Sequence, residues 1–234
     1  FNVFPGVVPS DPWVPGVRGN GHVDVNGVDV EYLGVEHVIL GASGDSGDAL
    51  VVHDDAGDNT WIVDKGPGPL FPATVWTDQI RIDDRESIHY DGFDTVTLTN
   101  TFGTDRFEVR PTNIGGFLTS FTVNGDAGTP LDDVLQIVGT PGDDVVGSTA
   151  AAITTNGITI TAGANLAEVR VNTLAGDDNI DLNLNLSGVR KVVDAGEGND
   201  IVDMSGTLDA TIFGGLGDDN LVGSAVSDTI YGGP

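Results

Sequence analysis

Residues 214–222 read GGLGDDNLV, three glycines, an aspartate and a large apolar residue in the order G-G-x-G-x-D-x-U-x, where U is the apolar position. These residue types dictate a local shape. Gly214, Gly215 and Gly217 permit a turn whose carbonyls face inward, Asp219 sets a carboxylate beside them, and Leu221 starts a strand whose side chain enters a core. The next nine residues, 223–231 (GSAVSDTIY), keep Gly223, Asp228 and Ile230, and Gly232-Gly233-Pro234 opens a further copy.

Looser copies lie upstream. Residues 195–203 (AGEGNDIVD) keep Gly196, Gly198, Asp200 and Val202; 174–180 (LAGDDNI) keep Gly176 and Asp178; 139–146 (GTPGDDVV) keep Gly139, Gly142, Asp144 and Val146. Good matches therefore cover about residues 139–234, with weaker echoes back to 41. Stacked turns of this kind make an all-oxygen cage of carbonyls and carboxylates. Such a cage suits calcium, which takes 6 to 8 oxygens, better than the tighter octahedron of magnesium.

The pattern resembles the hemolysin-type, or RTX, calcium-binding repeats of secreted bacterial toxins, proteases and large surface proteins. The resemblance implies a right-handed parallel β-solenoid, a β-helix grading into an RTX-like β-roll at the C-terminus, with Ca2+ held between adjacent turns. Carried over position by position, it assigns carboxylate ligands to Asp200, Asp219 and Asp228 and backbone oxygens to Gly196, Gly198, Gly214, Gly215 and Gly217. Asp178 and Asp144 follow as further ligands. This chain departs from the family pattern in two respects: Val226 stands where the motif has glycine, and the Asp178–Asp200 and Asp200–Asp219 spacings are 22 and 19 residues, not multiples of nine. One to four sites are expected, not a continuous row of ions.

Composition points the same way. Thirty Asp but only 6 Glu, among 36 acids against 9 bases, give a net charge of −27. An acidic surface built for solubility would use both acids, whereas Asp is the one whose short side chain sits in tight turns, here beside 34 glycines. Charge of this sign disfavours nucleic acid and anionic membranes and favours bound cations. With no cysteine, neither disulfides nor thiolate metal sites are available. No apolar run reaches the roughly 18 to 20 residues of a membrane span.

Short β-branched runs followed by Gly or Asp recur from residue 22 onward: 36–40 (EHVIL), 86–90 (ESIHY), 120–123 (SFTV), 168–171 (EVRV), 189–193 (VRKVV) and 210–213 (ATIF). Helical periodicity is nearly absent, so the class is all-β. Residues 94–109 align without a gap on 133–148, Asp94 over Asp133 and Asp105 over Asp144, which suggests a repeat of about 39 residues; residues 48–63 read as a poorer copy. The chain divides into a Pro-rich extended leader (1–21), irregular coils (22–138) with a Pro/Gly loop bulging from one coil at 65–74, and an RTX-like calcium-binding region (139–234).

Function follows from that layout as a structural, non-enzymatic role: a calcium-stabilised segment of an extracellular, bacterial cell-surface protein or filament. End-to-end self-association or continuation in a longer chain would cover the incomplete repeat at 232–234. A carbohydrate-binding adhesin module, using Trp13 or Trp76 against surface glycans, and the RTX domain of a larger secreted enzyme are the alternatives. Trp61 sits at an apolar strand position and is expected in the core. The arginines at 81, 85, 106, 110, 170 and 190 and Lys191 stand among Asp and Glu as surface ion pairs. The four histidines have no ligand spacing, and Asp83, Asp84 and Glu86 read as a solvated edge, so no catalytic residue is expected.

Overall fold

The computed structural model describes residues 21–26, 28–32, 37–41, 48–53, 58–67, 76–83, 87–91, 93–100, 102–111, 120–126 and 132–234. Residues 1–20 of the leader, including Trp13, lie outside the described residues, as do the side chain of Trp76 and all of Arg85, whereas Gly21 already belongs to the first strand.

Among the described residues the chain is all-β, with no α-helix. The first strands are β1 (Gly21–Val25), β2 (Val28–Tyr32), β3 (His37–Gly41), β4 (Ala49–His53), β5 (Thr60–Pro67), β6 (Trp76–Ile82) and β7 (Ser87–Asp91). The middle ones are β8 (Thr95–Thr99), β9 (Arg106–Val109), β10 (Ser120–Asn124), β11 (Asp133–Val138), β12 (Val145–Ser148), β13 (Ala152–Thr155) and β14 (Ile158–Ala162). The last are β15 (Leu166–Asn172), β16 (Asn179–Asp181), β17 (Arg190–Glu197), β18 (Ile201–Asp203), β19 (Ala210–Leu216), β20 (Asn220–Val222) and β21 (Thr229–Tyr231).

They form two mixed, mostly parallel sheets. Sheet A runs β2-β1-β4-β8-β10-β14-β13-β12-β16-β18-β20, and sheet B runs β21-β19-β17-β15-β11-β9-β5-β6-β7-β3. From β15 to β21 the chain alternates strictly between sheets, so each pair of strands adds one layer to both. Pairing continues across residue 138: β11 pairs in parallel with β9 on one side and β15 on the other.

Alternation along each strand fills the space between the sheets. In β8, Val96 and Leu98 are buried while Thr95 is exposed. Register stacks like on like: Leu50, Val96, Phe121 and Ile160 share one row of sheet A. Trp61, Phe107, Leu135 and Val169 share one row of sheet B. Trp61 is fully buried, 5.2 Å from the Phe107 ring, in the core as its strand position predicts. Each such large apolar side chain contributes about 1.5–3 kcal/mol through burial.

The 39-residue repeat is half a layer out of phase. Its alignment lays β8 of sheet A over β11 of sheet B and β9 of sheet B over β12 of sheet A. The true partner of 94–109 is the copy that looks poorer, 48–63, at an offset of 46: Ala49 pairs with Thr95 and Trp61 with Phe107. Both kinds of half-layer begin with Asp and continue with an alternating strand, so sequence alone does not distinguish them.

Antiparallel excursions interrupt the stacking. Lys65, Gly66 and Pro67, expected in a loop, extend β5 and pair with Asp78, Thr77 and Trp76, so β5 and β6 form an antiparallel ribbon, while residues 68–74 of the expected bulge lie outside the described residues. A second excursion, β12-β13-β14, is antiparallel throughout. It turns at Asn156 (φ 51°) and Gly157 (φ 79°), the Asn-Gly pair that suits a tight hairpin.

Candidate metal centre

Each layer turns two corners, one where the chain passes from sheet B to sheet A and one where it returns. The first corner brings together Asp144, Asp178, Asp200 and Asp219, each placed one residue before a strand of sheet A. Asp228 precedes β21 of sheet B and so lies at the second corner, away from Asp200 and Asp219.

At the first corner the aspartates form a ladder. The backbone N–H of Asp144 donates to Oδ1 of Asp178 (2.8 Å), that of Asp178 to Oδ1 of Asp200 (2.8 Å), and that of Asp200 to Oδ1 of Asp219 (3.1 Å). Each carboxylate thus anchors the layer before it through a charge-assisted bond. The preceding residue builds a second ladder in the opposite sense. The N–H of Asp177 donates to Asp143 (2.9 Å), that of Asn199 to Asp177 (2.8 Å) and that of Asp218 to Asn199 (3.0 Å). These outer residues escaped the motif reading because the nonapeptide leaves their position free. Their signal is the recurring dyad DD, DD, ND, DD at 143–144, 177–178, 199–200 and 218–219.

One oxygen per inner carboxylate remains. Oδ2 of Asp178, of Asp200 and of Asp219 is buried without a hydrogen-bond partner among the described residues. Asp178 and Asp200 are 2% and 1% exposed, so water does not compensate them. The Thr173 hydroxyl lies within hydrogen-bonding reach of the Asp178 carboxylate and lowers its pKa in part, but its single proton is also directed to the Ala195 carbonyl at 2.9 Å. Burial, reinforced by the charges of Asp200 and Asp144, pushes the Asp178 carboxyl up to about 6. Burial also raises Asp200, reinforced by Asp219 and Asp177. Asp144 differs: its Oδ2 accepts from the N–H of Thr140 at 2.6 Å.

Glycines bring backbone oxygens to the same corner. Gly215 (φ 109°) and Gly217 (φ 133°) lie where side chains are strained, and a Cβ on either would run into the carbonyl oxygen of Gly196 or Gly198 one layer below. Gly196 and Gly198 stand in the same relation to the carbonyls of Leu174 and Gly176. The motif glycines are therefore required by layer-to-layer contact, and their carbonyls project toward the next layer. Gly214 serves its own turn, where a Cβ would collide with the Asp219 carboxylate.

Among the described residues, no three Asp, Glu or His side chains converge on one point. A cation here would have to draw on carbonyl oxygens as well as carboxylates. The donors available are all oxygen, which fits a hard cation such as calcium and not a transition metal.

The other stacked aspartates meet donors of their own. At the second corner, Asp105 and Asp133 are buried, and the Asp105 N–H donates to Asp133 Oδ1 at 2.8 Å. The Asn100 amide donates to Oδ2 of both, at 2.6 and 3.2 Å. Asp228 accepts at Oδ1 from the Ala210 N–H (2.8 Å) and the Ser224 hydroxyl (2.8 Å), and at Oδ2 from the Ser224 N–H (2.6 Å).

Arg81, Arg106, Arg110, Arg170 and Arg190 lie as expected on the outer face of sheet B, whereas Lys191, expected with them as a surface ion pair, is buried. Arg81 pairs with Asp64, Arg110 with Glu108, and both Arg170 and Arg190 with the buried Glu168. No helix among the described residues is long and apolar enough to cross a membrane. An all-β protein with a stacked Asp–Gly corner is thus the class that fold and site define. No family model, characterised protein or solved structure matches the chain.

Proposed function

We propose that this chain is a calcium-stabilised structural β-solenoid, right-handed and RTX-like toward its C-terminus, serving as a segment of an extracellular surface protein. One observation carries the reading: Asp178, Asp200 and Asp219 stack on successive layers, and each buries a carboxylate oxygen that no described residue satisfies. An unpaired buried charge is too costly to keep without a counterpart. With the carbonyls of Gly196, Gly198 and Gly215 nearby, these oxygens would hold Ca2+ between layers, where the ion supplies charge neutralisation and a crosslink.

The expected site therefore centres on Asp178, Asp200 and Asp219. Asp144, already satisfied by Thr140, and Asp228, at the other corner, fall outside it. Extracellular calcium modules bind at about 10⁻⁴ to 10⁻³ M, so such a corner orders outside a cell and loosens inside one. Trp61 is spent in the core and offers no sugar platform.

Calorimetric titration of the calcium-free chain tests the reading. Saturable binding of at least one ion, accompanied by a higher thermal midpoint, is expected. No binding heat in millimolar calcium, with an unchanged midpoint, would sink it.

A further inference from the structure

Lys191 stands where a lysine does not belong. It continues the inward row of sheet B that carries Trp61, Phe107, Leu135 and Val169, pairing in register with Val169 on one side and Ala210 on the other. Every other member of that row is apolar. Lys191 is only 1% exposed, as buried as its neighbours. A lysine whose role was solubility would turn outward, and one that merely filled space would be replaced by methionine at no loss.

The ammonium reaches the second corner. Nζ donates to the Leu208 carbonyl at 2.9 Å, within the turn that leads from β18 to β19. The small Ala210 above it leaves room for the stem. Burial lowers the Lys191 pKa, and the two carboxylates whose charges oppose that shift, Asp228 and Asp209, belong to consecutive turns of this corner. These are the layers at which the first corner leaves carboxylate oxygens bare, yet here Asp228 is fully bonded.

We propose that the Lys191 ammonium is the built-in counter-cation of the second corner, standing in for a free metal ion between turns 204–209 and 223–228, so that this corner closes without calcium. The last layers are then joined by two cation systems, one exchangeable and one covalently attached. The inference does not require the first corner to bind calcium, because its test compares variants at fixed calcium.

A double-mutant cycle of Lys191→Met and Asp228→Asn, followed by thermal unfolding in calcium-free and calcium-saturated buffer, tests it. Lys191→Met alone should lower the midpoint by roughly 5 °C in both buffers, since it leaves the Leu208 carbonyl without its donor and removes the positive charge that faces Asp228 and Asp209. The double variant should lose clearly less than the two single losses together. Additive losses, or a Lys191→Met chain as stable as the parent, would overturn the proposal. Should the single variant fail to fold, the native chain decides by ¹⁵N NMR of its lysine side chains. A protonated Lys191 ammonium exchanging with water far more slowly than free lysine, and faster after Asp228→Asn, is expected; a neutral or freely exchanging amine overturns it.

Discussion

The two corners of one layer solve the same electrostatic problem differently. Both stack aspartates so that a backbone N–H of one layer bonds to the carboxylate of the next, and both must then place the second oxygen. At the second corner the chain brings the donor itself: the Asn100 amide between Asp105 and Asp133, and the Ser224 hydroxyl and N–H at Asp228. At the first corner the second oxygens of Asp178, Asp200 and Asp219 have no such donor among the described residues. Stacked carboxylates therefore do not by themselves imply a metal. The unmet oxygen is what the proposed calcium would answer, and it distinguishes the first corner from the second.

The largest expected difference between the corners appears on removing calcium. If two ions lie between the three carboxylates and each is present at about 100 times its dissociation constant, each contributes about 2.7 kcal/mol. Chelation should therefore loosen β16 to β21 while sparing the rows around Trp61 and Phe107. Hydrogen exchange in chelator checks this: amides of β16, β18 and β20 should lose protection by 10-fold or more, and those of β8 and β9 should not. Uniform loss throughout the chain would erase the distinction between regions.

Gly217→Ala should come next, at about 3 kcal/mol with or without calcium, because it combines strain at φ 133° with collision against the Gly198 carbonyl. Gly188→Ala is the control. It shares a positive φ (81°) but meets open space, so a smaller loss of about 1 kcal/mol in urea unfolding is expected. Equal losses would mean that layer contact contributes nothing beyond backbone strain.

How much of this was legible beforehand depends on which interactions are local. The Gly-Asp turns, the all-β class and the core position of Trp61 follow from short-range rules, and they were readable. The phase of the layers was not. Asp94 and Asp133 head similar strands in different sheets, and only pairing over 46 residues assigns each to its column. For the same reason Asp228 read as a neighbour of Asp219, although nine residues carry the chain to the opposite corner. Asn156-Gly157 announced a hairpin that the solenoid pattern overshadowed. Lys191 looked like a surface cation because its strand alternates ambiguously, with Lys191, Val192 and Val193 all buried.

Asp200→Asn should change sign with calcium. In its presence the variant loses a ligand charge and about 2 kcal/mol; in its absence it sheds repulsion from Asp219 and Asp177 and becomes at least as stable as the parent. Thermal midpoints of both chains in both buffers check this. A variant that is less stable by the same amount in each buffer would reduce Asp200 to a hydrogen-bond acceptor and remove the need for an ion.

The smallest expected effect is a slope with pH. Burial holds the Asp178 carboxyl at about 6, above its ordinary value of 3.8, so between these values the folded chain keeps a proton that the unfolded chain releases. A raised folded-state value means that the contribution is fully present below about 3.8 and is lost as pH climbs through about 6. Calcium-free protein should therefore weaken from pH 4.5 to 7, by no more than about 1.4 kcal/mol per pH unit for one group. Bound calcium requires the ionised carboxylate, which removes that slope and makes binding at pH 6 release about half a proton. Titration calorimetry in two buffers of different ionisation enthalpy counts that proton. A count of zero, or calcium-free stability that rises over the same interval, would show that Asp178 is not the buried, unmet carboxylate that sets the first corner apart from the second.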